Sequence, residues 1–487
     1  MKKILSILLF GLLTIIDAQQ GPPIPNNGGG RVRPQFQVTY EWNLVDFNWP
    51  TADSKMRAIQ NAQYIPENNV ITGIEVYQNY IFLTLPRLRH GVPATLTWIP
   101  SPNITTHTAP LLNPFPSWEM NKLGDCRALQ NVQSVEVDVN GILWVIDIGG
   151  TATMEQDPDS TCPPRLVLFD LKNQNAIVHQ YIFPDSVAKH DGNYLNDLVI
   201  DDFNGRFAYI TDNSAVDPGL IVYSLTNDTS WKVRDAKSML ADPKATGFYI
   251  NSTQVNAAIN IDGIALSPAV RGPSRDVIFT PLSSLRFYGI DTAILQNQEL
   301  ATSPNVGNFI KDLGAKPSTT DGMIMDEFGI LYYGLLGLNA IGNWNTNLPS
   351  DTARILARDD TFLQWPDSFA IDSNTGNLYA LSNRIQNFLT RNVNPTEANY
   401  RILVAYIGAR SYLYGPNTYT IPQNVAIINP NIEISTLGAL GALNTPPPGY
   451  ETYDFKTNRL AYNSGDKNTL FTGLNLVIFI FICKNFF

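Results

Sequence analysis

Asp262, Asp321 and Asp367 each open a six-residue unit, DGIALS, DGMIMD and DSFAID. Three further units fit the same frame: NDLVID from Asn196, QSVEVD from Gln133 and, more weakly, TGIEVY from Thr72. If the six first positions meet, they form a ring of three carboxylates, two amides and a hydroxyl, with no lysine among them. Such a ring suits a cation, either a hard metal such as calcium or an organic amine whose ammonium needs acceptors once it leaves water. The competing reading is that Asp and Asn at these points bond backbone amides where strands begin. Asn339 and Trp344, both in NAIGNWN, and Trp365 would add amide and aromatic contacts to an organic ligand. Both tryptophans suit a core equally well.

Most other chemistry lacks its residues. There is no G-x-S-x-G elbow, P-loop, H-E-x-x-H or C-x-x-C. The four histidines, His90, His107, His179 and His190, show no paired spacing, which argues against a multinuclear copper oxidase. Nothing supports a Rossmann dinucleotide site.

The elements that would position the ring follow from what surrounds each unit. Five residues after its first position comes a turn, and then a second apolar run: YIFLTL, ILWVID, FAYITD, DVIFTP, ILYYGL and NLYALS. The spacings between copies are 61, 63, 66, 59 and 46 residues. Paired β runs at a long, slightly uneven period are the signature of a propeller. The expectation is an all-β fold, a six-bladed β-propeller with four-stranded blades. Its innermost strands start near one mouth of the channel, which brings the six first positions together. Phe36–Phe47 alternates well enough for a strand and is expected to close the ring on the last blade.

The 487 residues are 44% hydrophobic and 11% aromatic, enough for a large core. Residues 1–18 read as a signal peptide: two lysines, an apolar run from Ile4 to Ile16 and a small residue, Ala18, at the cut. Its removal leaves 31 basic and 42 acidic side chains, a formal charge of −11. That balance, without a basic run, argues against nucleic acid and favours cationic partners. Residues 19–34 are a Pro/Gly-rich linker, 35–445 the propeller and 446–487 a tail with a short apolar segment. The tail is short for a membrane span. Asn463-Ser464-Gly465 offer a lipid-anchor cleavage site, so a membrane is a partner only if the tail directs an anchor. Sequons stand at Asn103, Asn227 and Asn251. In a secreted chain Cys126 and Cys162 either staple one blade's loops or stay as thiols, with Cys483 left over.

Several stretches together resemble the Yellow/major royal jelly protein family of insects. They include CRALQNVQSVEVDVNGILWVIDIG, CPPRLVLFDL, LNDLVIDDFNGRFAYITD, FTPLSSLRFYGI, GLNAIGNWN and WPDSFAIDSNTGNLYALSNR. The resemblance runs in order from about Trp42 to Gly408 and implies a secreted six-bladed propeller. Many relatives carry a cysteine where this chain has Asn343, so Cys126–Cys162 is the bridge to expect. The family implies a role in melanin and cuticle pigmentation, with a small aromatic (catechol or indole) amine or related intermediate bound in the channel. Dopachrome conversion by a tautomerase-type step is the enzymatic alternative. A calcium-dependent hydrolase and a structural, storage or nutritive role are the others. No cofactor is expected, calcium remaining possible.

Overall fold

The computed structural model describes residues 34–101, 108–202, 206–269 and 274–415, and the backbone of 451–454 and 459–462. The signal segment, all of the linker but Pro34, Asn103, the anchor signal and Cys483 lie outside the described residues.

Six four-stranded antiparallel sheets make the blades of a propeller. The first blade is Gly73–Tyr77, Tyr80–Thr84, Leu96–Pro100 and Asn113–Pro114, in sequence order from the axis outward. The next four begin with the inner strands Val132–Val137, Leu195–Asp201, Ile261–Leu266 and Met323–Met325. The sixth is built differently. Pro366–Asp372, Asn377–Ser382 and Tyr400–Tyr406 supply three strands, and Gln37–Trp42 from the other end of the chain pairs with Tyr400–Tyr406 as the fourth. The segment expected to close the ring does so.

The fixed frame of the repeat has a local cause. Asp138 Oδ1 accepts the amides of Asn140 and Ile142, and Asp326 Oδ1 those of Phe328 and Ile330, so the aspartate that ends each of these two units caps its hairpin turn. Gly141 and Gly329 take the positive φ, 78° and 79°, that those turns require. The glycine after a ring aspartate answers to crowding at the axis instead. A Cβ on Gly263 would lie 2.1 Å from the Asp321 carbonyl oxygen, and one on Gly322 2.0 Å from that of Asp367. Inner strands thus touch backbone to side-chain position, and only glycine fits there.

Apolar residues on the strand faces fill the space between neighbouring blades, so each sheet is buried on both sides. Cys126 and Cys162 form a disulfide across the second blade's loops, with Cα atoms 5.2 Å apart. Among the described residues no helix is long and apolar enough to cross a membrane. The backbone hairpin Glu451–Asp454 and Arg459–Tyr462 forms a separate unit.

Candidate functional site

Each inner strand begins at the same end of the propeller, so the six first positions come together there. Thr72 donates to Gln133 Oε1 at 3.5 Å, Asn196 Nδ2 donates to Asp262 Oδ1, and Asp262, Asp321 and Asp367 lie close enough to repel one another. Burial raises all three carboxyls above the ordinary range, and repulsion from Asp321 adds to it at Asp262 and Asp367. Asp321 is pushed up to about 7, with Asp197 adding to the rise while the Trp365 indole and Lys316 oppose it. Asn213 also donates to Asp262, at 3.4 Å, and Asn383 donates to Asp367.

Trp365 belongs to this mouth. Its Nε1 donates to Asp321 Oδ2 at 2.6 Å, and its backbone sits at φ 54°, a left-handed conformation that a bulky residue adopts only where its surroundings hold it. Asn339 is at the same end, in the loop between the second and third strands of the fifth blade. It does not bond the ring: Nδ2 donates to Asn251 Oδ1 at 2.6 Å and to Asp360 Oδ1 at 3.0 Å. Trp344 does not join them. It lies in the core between blades, stacked on Phe287 with centroids 5.7 Å apart, and its indole N–H goes to the Leu348 carbonyl at 2.9 Å.

Three features of the mouth escape the repeat pattern. Tyr194, two residues ahead of Asn196, accepts from Gln133 Nε2 at 2.7 Å, and burial among the ring carboxylates raises its phenol. Lys316 arrives on the crossover from the fourth to the fifth blade. The six ring positions hold no lysine, but this ammonium is buried within electrostatic reach of Asp262 and Asp321 and 5.6 Å from the Phe287 ring. The third feature is a hairpin, Gly247–Ile250 with Thr253–Asn256, inserted between the third and fourth blades. Phe248 packs on Trp365 at 5.8 Å, and Ile250 and Val255 are buried with Leu336 and Trp365. At its tip the Asn251 amide bonds Asn339 and the Asp360 carbonyl. The hairpin therefore reaches from one side of the mouth to the loops of the fifth and sixth blades, over the sector that carries the three aspartates. Asn227, by contrast, is exposed on a hairpin turn.

The channel continues below the ring as a cavity of about 20 Å³, lined by Glu75, Glu136, Asp197, Ser134 and Ser368 among others. That is room for about one water molecule. Burial pushes Asp197 up to about 6 and Glu136 up to about 8, and raises Glu75 as well. Tyr412 lines its far end. Its hydroxyl donates to Glu136 Oε1 at 3.0 Å and accepts the Ile200 amide at 2.9 Å. The chain around it is tied down by the Arg410–Glu327 ion pair at 2.8 Å. Among the described residues no group of three or more His, Cys, Asp or Glu is arranged to hold a metal ion.

Fold and site together define a six-bladed propeller with an acidic mouth beneath a hairpin and a narrow far end lined by Tyr412. A family model described as major royal jelly protein matches residues 130–410, and the chain belongs to that family. Protein yellow of Drosophila yakuba is 31% identical over 458 residues, covering 89% of this chain and 82% of that one. Protein yellow of Drosophila melanogaster is 30% identical over 411 residues, covering 81% and 74%. Among solved structures, a luciferin-regenerating enzyme aligns at TM-score 0.42 and 14% identity over 72% of this chain and 96% of its own. A calcium-binding protein, regucalcin, from Agrobacterium tumefaciens aligns at TM-score 0.41 and 11% identity over 70% and 91%.

Proposed function

We propose that this chain is a secreted Yellow-like protein of the melanin and cuticle pigmentation pathway that binds a small aromatic amine, or a related catechol or indole intermediate, in the channel mouth. One observation carries the reading: Asp262, Asp321 and Asp367 converge under aromatic cover, with Trp365 touching Asp321. An ammonium placed among them offsets the burial and repulsion that raise their carboxyls, so that a proton released there is replaced by a charge pair. The amides of Asn196, Asn213 and Asn383 fix the carboxylate orientations. Family membership supports the pathway and the secretion.

A proton-moving enzyme is the second reading, and Asp321 favours it. A carboxyl pushed up to about 7 exchanges its proton near neutral pH, as a tautomerase-type conversion of dopachrome requires, and no redox cofactor enters that step. Calorimetric titration of the purified full-length protein with dopamine and serotonin tests the binding, and a dopachrome decay assay run beside it tests the conversion. Saturable heat at or below millimolar ligand is expected. Flat titrations with unchanged dopachrome decay would leave the storage or structural role.

A further inference from the structure

Lys316 is 4% exposed, and its Nζ has no hydrogen-bond partner within the protein. Thr319 and Thr320, on the same crossover and immediately before Asp321, are also buried, and their hydroxyls likewise lack partners. Buried polar groups are normally satisfied, and a buried ammonium without an acceptor costs several kcal/mol. Three unsatisfied donors on one five-residue stretch beside an acidic ring therefore call for acceptor oxygens from outside the chain. The charge balance points the same way. Burial drives the Lys316 amine well below its usual range while Asp262 and Asp321 pull it back. A bare monoamine cation entering the mouth would share those two carboxylates with a cation already present. A ligand carrying both charges would not.

We propose that Lys316, on the same crossover as the unpartnered hydroxyls of Thr319 and Thr320, receives the carboxylate of a zwitterionic ligand whose ammonium lies against Asp262 and Asp321. The ligand class is then an aromatic α-amino acid bearing a catechol or indole ring, rather than its decarboxylated amine. Charge-assisted hydrogen bonds from an ammonium to a carboxylate are among the strong ones, and the geometry of an α-amino acid puts its two charges within one bond of a shared carbon. Trp365 covers the aromatic end. This inference rests on the mouth being a ligand site.

Two matched pairs test it: DOPA against dopamine, and 5-hydroxytryptophan against serotonin, each titrated into the full-length protein by calorimetry. The wild type is expected to favour the amino acid of each pair by about tenfold or more. Lys316→Met should reverse the preference, since the ligand carboxylate would then face Asp262 and Asp321 unopposed. The same variant should melt at or above the wild-type temperature, because it removes a buried unpaired charge. Lys316→Gln, which keeps donors but no charge, should fall between the two and serves if the Met variant does not fold. Amines that bind as tightly as the amino acids, or a preference unmoved by Lys316→Met, would overturn the role of Lys316 and leave the amine site standing. No saturable binding by any of the four ligands would remove the site itself and this inference with it.

Discussion

The two ends of the channel are both acidic, yet their polar groups are satisfied to different degrees. At the far end, the carboxyls of Glu75 and Glu136 are buried with Tyr412, whose hydroxyl uses both of its roles on Glu136 and the Ile200 amide. The space left there is about 20 Å³. At the mouth, Asp321 accepts an indole N–H and, with Asp262, lies within electrostatic reach of an ammonium that has no hydrogen-bond partner, beneath a hairpin held at its tip by one asparagine. Clustered carboxylates alone do not make a binding site. A set that satisfies itself is structural, and an unsatisfied set is where a ligand gains most. The far end should therefore matter for stability and the mouth for binding.

Tyr412→Ala is the hardest blow to that division. It empties a fully buried aromatic position and leaves Glu136 without its donor, so a loss of about 3–5 kcal/mol is expected in denaturant melts. Ligand affinity measured below the melting range should hardly change. If the variant kept its stability and lost ligand, the far end would be part of the site. Asp321→Asn should do the reverse, weakening ammonium binding by about 2–5 kcal/mol where the charge pair is desolvated while the melting temperature stays or rises. A variant that binds normally would show that Asp321 is not the ammonium's partner.

The pH dependence should split the two properties. Asp197, Asp321 and Glu136 have folded-state values of about 6, 7 and 8, all above those of the unfolded chain. Between about pH 4 and 8 the folded protein thus binds more protons than the unfolded one. Stability should fall as pH rises across that window. Affinity for an ammonium should instead increase with pH as Asp321 ionises. Glu136→Gln should flatten the upper part of the stability profile and leave the binding profile alone. Parallel pH trends in stability and affinity would contradict the separation.

Smaller effects probe the hairpin and the charge of the ring. Asn251→Ala removes the tip's bonds to Asn339 and Asp360, at a cost of about 1 kcal/mol or less, and should speed ligand association in stopped-flow measurements. An unchanged association rate would mean that the hairpin does not limit entry. Chelation should shift the melting temperature least of all, because Lys316 already lies near Asp262 and Asp321. A shift of several degrees would place a divalent cation in the ring.

The sequence by itself determined the repeat, its six copies, the turn aspartates and the ring positions, because each depends on backbone geometry within a few residues. A turn needs its Asp and its Gly, and an inner strand that touches its neighbour at the axis needs a residue without a Cβ. The closing strand was legible for the same reason, as alternation within Phe36–Phe47. The rest required the tertiary structure. Nothing in the local pattern separates Trp365, which reaches Asp321, from Trp344, which fills a core, since burial between blades and burial at the mouth favour the same side chain. Tyr194 lies outside the repeated column, and Lys316 and the hairpin lie in crossovers, where spacing carries no period. What they touch is set by how neighbouring blades are arranged around the axis. Only that arrangement puts an unsatisfied ammonium beside two aspartates 54 and 5 residues away in the chain.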